Sequence, residues 1–273
     1  VDPALQLRVQ RYGWDKAASE YERYWSSALE PAQNRMLQMA RLRRGEKVID
    51  IAAGTGLVTF RAASTMGGAG EVLATDLSDE MVNRLRAAAA QQGLSQVRAE
   101  RMDAQQLTVP DATFDVALCA LGLMYFPDPL QALKEMVRVL KPGGRVAVAV
   151  WGARDHCGWA EIFPIVDNRV ASEVCPMFFQ LGTGDALKMT MEMAGFGDVS
   201  AERMTTTLHY ESASAACGAA FVAGPVALAY SHFDEAVKES VQREYLDSIA
   251  AFKSGNGYSV PGEFVVAKGV RGG

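Results

Sequence analysis

The sequence predicts an α/β fold: a doubly wound, mostly parallel sheet of seven strands, with helices ahead of it and a helical lid near its carboxyl end. Three observations predict it. Over residues 46–151, short β-branched runs alternate with longer amphipathic stretches, the pattern of βαβ units feeding a parallel sheet. A turn carrying Gly54 and Gly56 stands between the first strand and the first helix of that series. Two later strand-like runs, residues 199–209 and 258–267, are separated by helical stretches, so the excursion between them would lie over the open edge of the sheet.

Each element follows from local signals. The first strand is Val48-Ile49-Asp50-Ile51 with Lys47, and the helix after the glycine turn runs to about Thr65. Glycines at 67–70 stop it before a second strand at 71–75. Ser78 is an N-cap, followed by Asp79 and Glu80 in the first turn of a helix that ends near Gln92. A third strand at 97–101 follows Gly93, a fourth spans 114–120, and a helix spans 129–140. The turn Lys141-Pro142-Gly143-Gly144 then leads to a fifth strand at 145–150. Two helices are expected before this core, at 4–24 and 32–40, and three after it, at 185–194, 213–229 and 234–251. The organisation is therefore a helical segment at 1–45, a core at 46–212, a lid at 213–253, and a closing strand and tail at 254–273.

Composition narrows the function. Apolar residues make up 49% and charged residues 22%, enough apolar surface for a folded core throughout. A net charge of -5 disfavours a basic face for phosphates, so nucleic acid is not expected as a partner. Cys119, Cys157, Cys175 and Cys217 lack zinc-ligand spacing and read as reduced thiols, with no metal site. The first residues do not pair a charged stretch with an apolar one, and no apolar run is long enough for a bilayer. A cytoplasmic protein without membrane contact is expected.

The chemistry concentrates at the carboxyl ends of the strands, where ligands of open α/β sheets sit. In Asp50-Ile51-Ala52-Ala53-Gly54-Thr55-Gly56 the glycines permit close approach to the backbone, and the following helix presents free N–H groups. Asp76 ends the second strand twenty positions after Gly56, where a carboxylate can accept from both hydroxyls of a ribose. That spacing also fits a nicotinamide-binding unit, but the third glycine of its fingerprint is replaced by Thr59. Met102-Asp103-Ala104 follows the third strand, and Ala120 ends the fourth with Leu121 and Met124 after it.

Taken in order, Asp50-x-Ala52-x-Gly54-x-Gly56, Ala74-Thr75-Asp76-Leu77-Ser78, Met102-Asp103-Ala104, Phe114-Asp115-Val116 and Leu140-Lys141-Pro142-Gly143-Gly144 resemble the class I S-adenosylmethionine-dependent methyltransferases. Within them the chain is similar to the quinone-biosynthesis C-methyltransferases. One departure is alanine at Ala52 and Ala53, where the family often has glycine, or glycine or cysteine. The resemblance implies a Rossmann-like methyltransferase fold, S-adenosylmethionine as cofactor and S-adenosylhomocysteine as product. It further implies that Asp50 organises the turn and the methionine amino group, that Gly54 and Gly56, with Ala52 and Ala53, line the methionine moiety, and that Asp76 holds the ribose. Leu77 and Met81 would pack on the adenine, Met102, Asp103 and Ala104 would meet its edge, and Ala120 and Leu121 would form the wall.

For the methyl acceptor, expected to be a small molecule, the candidates are Tyr21 and Trp25, one helical turn apart, with Met124 and Trp151. His156 is the candidate general base. Two other readings stay open on the residues: a noncatalytic module that binds the cofactor or a related nucleoside, and a nicotinamide-dependent oxidoreductase.

Overall fold

The β-branched runs of the core become a single sheet in the computed structural model, which describes residues 2–171, 175 and 177–272. Strands β1 (Lys47–Ile51), β2 (Glu71–Asp76), β3 (Val97–Arg101), β4 (Phe114–Ala120) and β5 (Leu140–Trp151) pair in parallel. β6 (Phe196–Tyr210) and β8 (Gly257–Arg271) complete the order β3-β2-β1-β4-β5-β8-β6, with β8 antiparallel to both neighbours. The order reverses beside β1, between β2 and β4, which puts the crevice of a doubly wound sheet at the end of β1. A two-residue strand, β7 (Lys253–Ser254), pairs only with β8, so the expected seven strands gain an eighth.

The helices are α1 (Pro3–Ala17), α2 (Tyr21–Ala40), α3 (Leu57–Met66), α4 (Asp79–Gln91), α5 (Pro129–Val139), α6 (Ile162–Asp167), α7 (Ala186–Ala194), α8 (Ala213–Cys217), α9 (Ala227–Ser231) and α10 (Glu235–Ser248). Side-chain caps set several starts: Ser78 Oγ accepts from Met81 N–H at 3.1 Å, and Asp128 and Asp234 cap α5 and α10 in the same way. Val48, Ile49, Val116, Leu118, Val146 and Val148 are fully buried at the sheet centre. Each such side chain contributes about 1.5–3 kcal/mol by leaving water.

Three expectations are corrected. The N-terminal helices break at residues 18–20, and Pro31 lies inside α2. Leu29, Ala32, Met36 and Ala40 form a buried stripe across the proline, and burying it outweighs the roughly 3 kcal/mol that an interior proline costs. The turn at 141–144 is drawn into β5, but Phe114 pairs with Leu140 and Val116 with Arg145, so the four turn residues loop out of the ladder. The helix expected at 213–229 divides into α8, a π-helical turn over Gly218–Val222, and α9. At Gly218 a Cβ would stand 2.3 Å from the Tyr24 ring, and this glycine lets the π turn press directly on α2.

All four cysteines are buried free thiols. Among the described residues, no helix is long and apolar enough to cross a membrane, and no cluster of side chains has the makings of a metal site.

Candidate active site

The turn after β1 is shaped by backbone conformation. Ala52, Gly54 and Gly56 have φ of 55°, 58° and 103°. Glycine adopts such angles freely, whereas alanine does so under strain. The methyl group of Ala52 is accommodated across the crevice: a Cβ on Gly122 would lie 2.4 Å from it, so the glycine after Leu121 leaves the needed space.

Asp76 joins this turn to the neighbouring strand. Its Oδ2 accepts from Gly54 N–H at 2.8 Å and its Oδ1 from Ser78 N–H at 2.9 Å. Burial pushes its pKa up to about 6, against the lowering effect of these bonds. Asp50, 1% exposed, accepts from the Thr59 hydroxyl at 2.6 Å through Oδ2. Its other oxygen has no hydrogen-bond partner, and burial pushes its pKa up to about 7. The carboxyl end of β3 is tied in by Met102 N–H donating to the Asp76 carbonyl at 3.0 Å, and Leu121, at φ 59°, donates to the Ala149 carbonyl at 2.7 Å. Asp103 Oδ1 accepts from Gln105 N–H at 2.9 Å.

These ends enclose a cleft of about 710 Å³ including its mouth. Ala52, Gly54, Asp76, Leu77, Met81, Met102, Asp103, Ala104, Ala120 and Leu121 line it. Asp50 and Ala53 line a recess of about 260 Å³ that shares Ala52, Ala120 and Tyr21 with the cleft wall or its neighbourhood, and Gly56 lines neither but precedes α3. α1 contributes Leu7, Gln10 and Trp14, and the segment after β4 contributes Tyr125 and Phe126. Sequence reasoning did not select these residues.

A second chamber of about 580 Å³ shares Trp14, Tyr21, Leu121 and Tyr125 with the cleft. Trp25 and Trp151 line it, as do Trp159, Phe163 and Phe178 from the chain after β5 and Tyr210 and Tyr245 from β6 and α10. The rings pack edge to face, with Trp14 and Tyr125 centroids at 5.1 Å and Trp151 and Trp159 at 4.9 Å. Among the described residues that line it there is no Asp, Glu, Lys, Arg or His. Burial pushes the Tyr21 and Tyr125 hydroxyls above their ordinary range, so both stay protonated.

Two candidates stand elsewhere. Met124 is buried and lines neither chamber. The His156 side chain is 55% exposed, and its Nδ1 lies 3.0 Å from Glu263 Oε1, outside both chambers. Glu263 also pairs with Arg203 at 2.6 Å. The oxidoreductase alternative gains nothing from the site. Tyr12 and Lys16 have the i, i+4 spacing of a Tyr–Lys hydride-transfer pair, but Tyr12 is 48% exposed and neither lines the cleft.

A crevice at the strand order reversal, with a glycine turn bonded to the carboxylate that ends β2, defines a nucleoside-binding α/β protein. The methyltransferase domain family matches residues 48–144. A ubiquinone/menaquinone biosynthesis C-methyltransferase of Idiomarina loihiensis is 32% identical over 183 residues, covering 60% of this chain and 71% of the relative. An uncharacterized Mycobacterium tuberculosis protein is 36% identical over 142 residues, covering 52% of this chain and 50% of the relative. The chain thus spans about half the length of that mycobacterial relative. A solved candidate methyltransferase of Bacillus halodurans shares the fold, with a TM-score of 0.62 at 21% identity over 89% of this chain and all of the other. The chain belongs to the class I S-adenosylmethionine-dependent methyltransferase family, and within it is similar to the ubiquinone/menaquinone C-methyltransferases.

Proposed function

We propose that this chain transfers a methyl group from S-adenosylmethionine, held in the cleft, to a small apolar acceptor held in the second chamber. The observation that carries the reading is the junction of the two spaces at Trp14, Tyr21, Leu121 and Tyr125. The cleft and the recess beside it fit the cofactor by their donors and acceptors: the unpartnered Asp50 oxygen of the recess suits an ammonium group, and in the cleft the Asp76 carboxylate suits two ribose hydroxyls and Met102, Asp103 and Ala104 suit an adenine edge. Bound there, S-adenosylmethionine supplies an electrophilic sulfonium methyl. The chain's own part is alignment and the exclusion of water, and alignment alone can supply several kcal/mol of a displacement barrier. Protonated tyrosines and apolar rings surround the junction without offering a competing nucleophile, and ring faces stabilise a nearby cation. His156 has no part in this proposal.

The similarity to enzymes named for quinone C-methylation supports a ring carbon as the methylated atom. Residues 213–253 are proposed as the lid. Ala220, Gly224, Pro225, Val226 and Tyr245 already form part of the second chamber's wall, which supports that role.

Incubation with methyl-labelled S-adenosylmethionine and a panel of aromatic acceptors tests both claims. Label is expected in a small molecule, with one S-adenosylhomocysteine released per methyl. Hydrogen exchange over residues 213–248 is expected to slow when product and acceptor are both bound. Tight cofactor binding without transfer to any acceptor would favour the noncatalytic module. Exchange that follows protein concentration alone would make the segment a dimer interface.

A further inference from the structure

We propose that the indole N–H of Trp159 anchors the acceptor and selects a planar, uncharged molecule that carries a hydrogen-bond-accepting oxygen. The inference rests on the second chamber being the acceptor site. Trp159 stands in the connection between β5 and α6 and is 6% exposed. Rings surround it: Trp151 edge-on at 4.9 Å, Phe178 edge-on at 5.6 Å and Phe179 tilted at 5.7 Å. Its Nε1 has no hydrogen-bond partner among the described residues. A buried donor left unpaired is costly, and a phenylalanine would fill much of the same space without that cost.

The other polar side-chain groups of the chamber, among the described residues, are tyrosine hydroxyls and the indole N–H groups of Trp14, Trp25 and Trp151; of the four indoles Trp159 alone is buried without a partner, and the hydroxyls of Tyr210 and Tyr245 bond to each other. A hydroxyl donates or accepts, but the indole N–H only donates, so it requires an acceptor on the bound molecule, a need that a carbonyl, ether or hydroxyl oxygen meets. With no charged side chain among the described residues that line the chamber, a carboxylate or phosphate would be buried without a counter-charge. An ammonium would meet ring faces but could not accept from the indole. Trp159 lines only the second chamber, whereas Trp14, Tyr21, Leu121 and Tyr125 line both spaces. Anchoring at Trp159 therefore holds one part of the acceptor away from the junction and turns another part toward it.

The test is equilibrium dialysis of the full chain, saturated with S-adenosylhomocysteine, against 1-naphthol, naphthalene, 1-naphthoate and 1-naphthylmethylammonium. Naphthol is expected to bind at least about tenfold more tightly than either charged probe. Trp159→Phe is expected to weaken naphthol about 3- to 10-fold more than naphthalene, because both probes lose the same ring contact and only naphthol loses the hydrogen bond. Should Trp159→Phe fail to fold, benzothienylalanine in place of Trp159 keeps the ring shape without the N–H, and the same contrast is expected. Equal weakening of naphthol and naphthalene would make Trp159 a packing residue and overturn the proposal, as would no change in either. If S-adenosylhomocysteine binds and no naphthalene probe does, the proposal alone is overturned. If S-adenosylhomocysteine does not bind the wild-type chain, the methyl-transfer reading fails and the proposal with it.

Discussion

Asp76→Ala is expected to weaken S-adenosylhomocysteine binding by two orders of magnitude or more, read by calorimetric titration, while circular dichroism stays that of the wild type. Two hydrogen bonds from ribose hydroxyls to a carboxylate contribute roughly 1.5–3 kcal/mol each. The loss extends beyond the ribose. The same carboxylate accepts from Gly54 N–H and Ser78 N–H, so alanine also frees the glycine turn from the end of β2. Asp76→Asn is expected to fall well short of rescue, because an amide offers one oxygen where the two backbone donors approach two different oxygens. Wild-type affinity in Asp76→Ala would make this aspartate a loop residue without a binding role.

Asp50→Asn is expected to raise the stability of the ligand-free chain at pH 8 by on the order of 4 kcal/mol while sharply reducing cofactor binding. Burial pushes the Asp50 carboxyl from 3.8 up to about 7, so the folded chain holds this proton more tightly than the unfolded chain. For an acid shifted upward, the folded state binds more protons across the interval between the two values. Stability therefore falls as pH rises from about 4 to about 7 and is lowest above that range. An amide keeps the acceptor for the Thr59 hydroxyl and carries no charge, so the variant should match the wild type at about pH 3 and exceed it increasingly up to pH 8 in urea unfolding. Binding runs the other way. If Asp50 receives the methionine ammonium, only its ionised form serves, and wild-type affinity should rise with pH up to about 7 and then level off. Equal urea midpoints at pH 8 would show that the buried charge carries no such cost.

The gain in stability paired with a loss of binding would mark Asp50 as a residue kept for its ligand. Its position was legible because the signal is local: a strand, an aspartate near its end and two glycines. The same holds for Asp76 and for Met102, Asp103 and Ala104, each at the carboxyl end of a short strand that follows a glycine stop, at Gly70 and Gly93. α2 was misdivided for the converse reason. Pro31 is a strong local stop signal, and only the tertiary burial of Leu29, Ala32, Met36 and Ala40 overrides it.

The second chamber was the least legible part. Its wall gathers Trp14 from α1, Trp25 from α2, Trp159 and Phe178 from an irregular stretch, and Tyr245 from α10, with no period that links them. The one available signal was aromatic density, since Trp151, Trp159, Phe163, Phe178 and Phe179 fall within a span otherwise poor in pattern. His156 drew attention as a residue type suited to general-base chemistry, but its partner Glu263 lies on β8, a contact no local pattern shows.

The central claim is that the cleft at the end of β1 and β2 is built for S-adenosylmethionine and not for a nicotinamide dinucleotide. Calorimetric titration of the full chain with S-adenosylhomocysteine, and separately with NAD, tests it most directly. Saturable one-to-one binding of S-adenosylhomocysteine and no heat from NAD is the predicted result. Binding of NAD with none of S-adenosylhomocysteine would contradict the account.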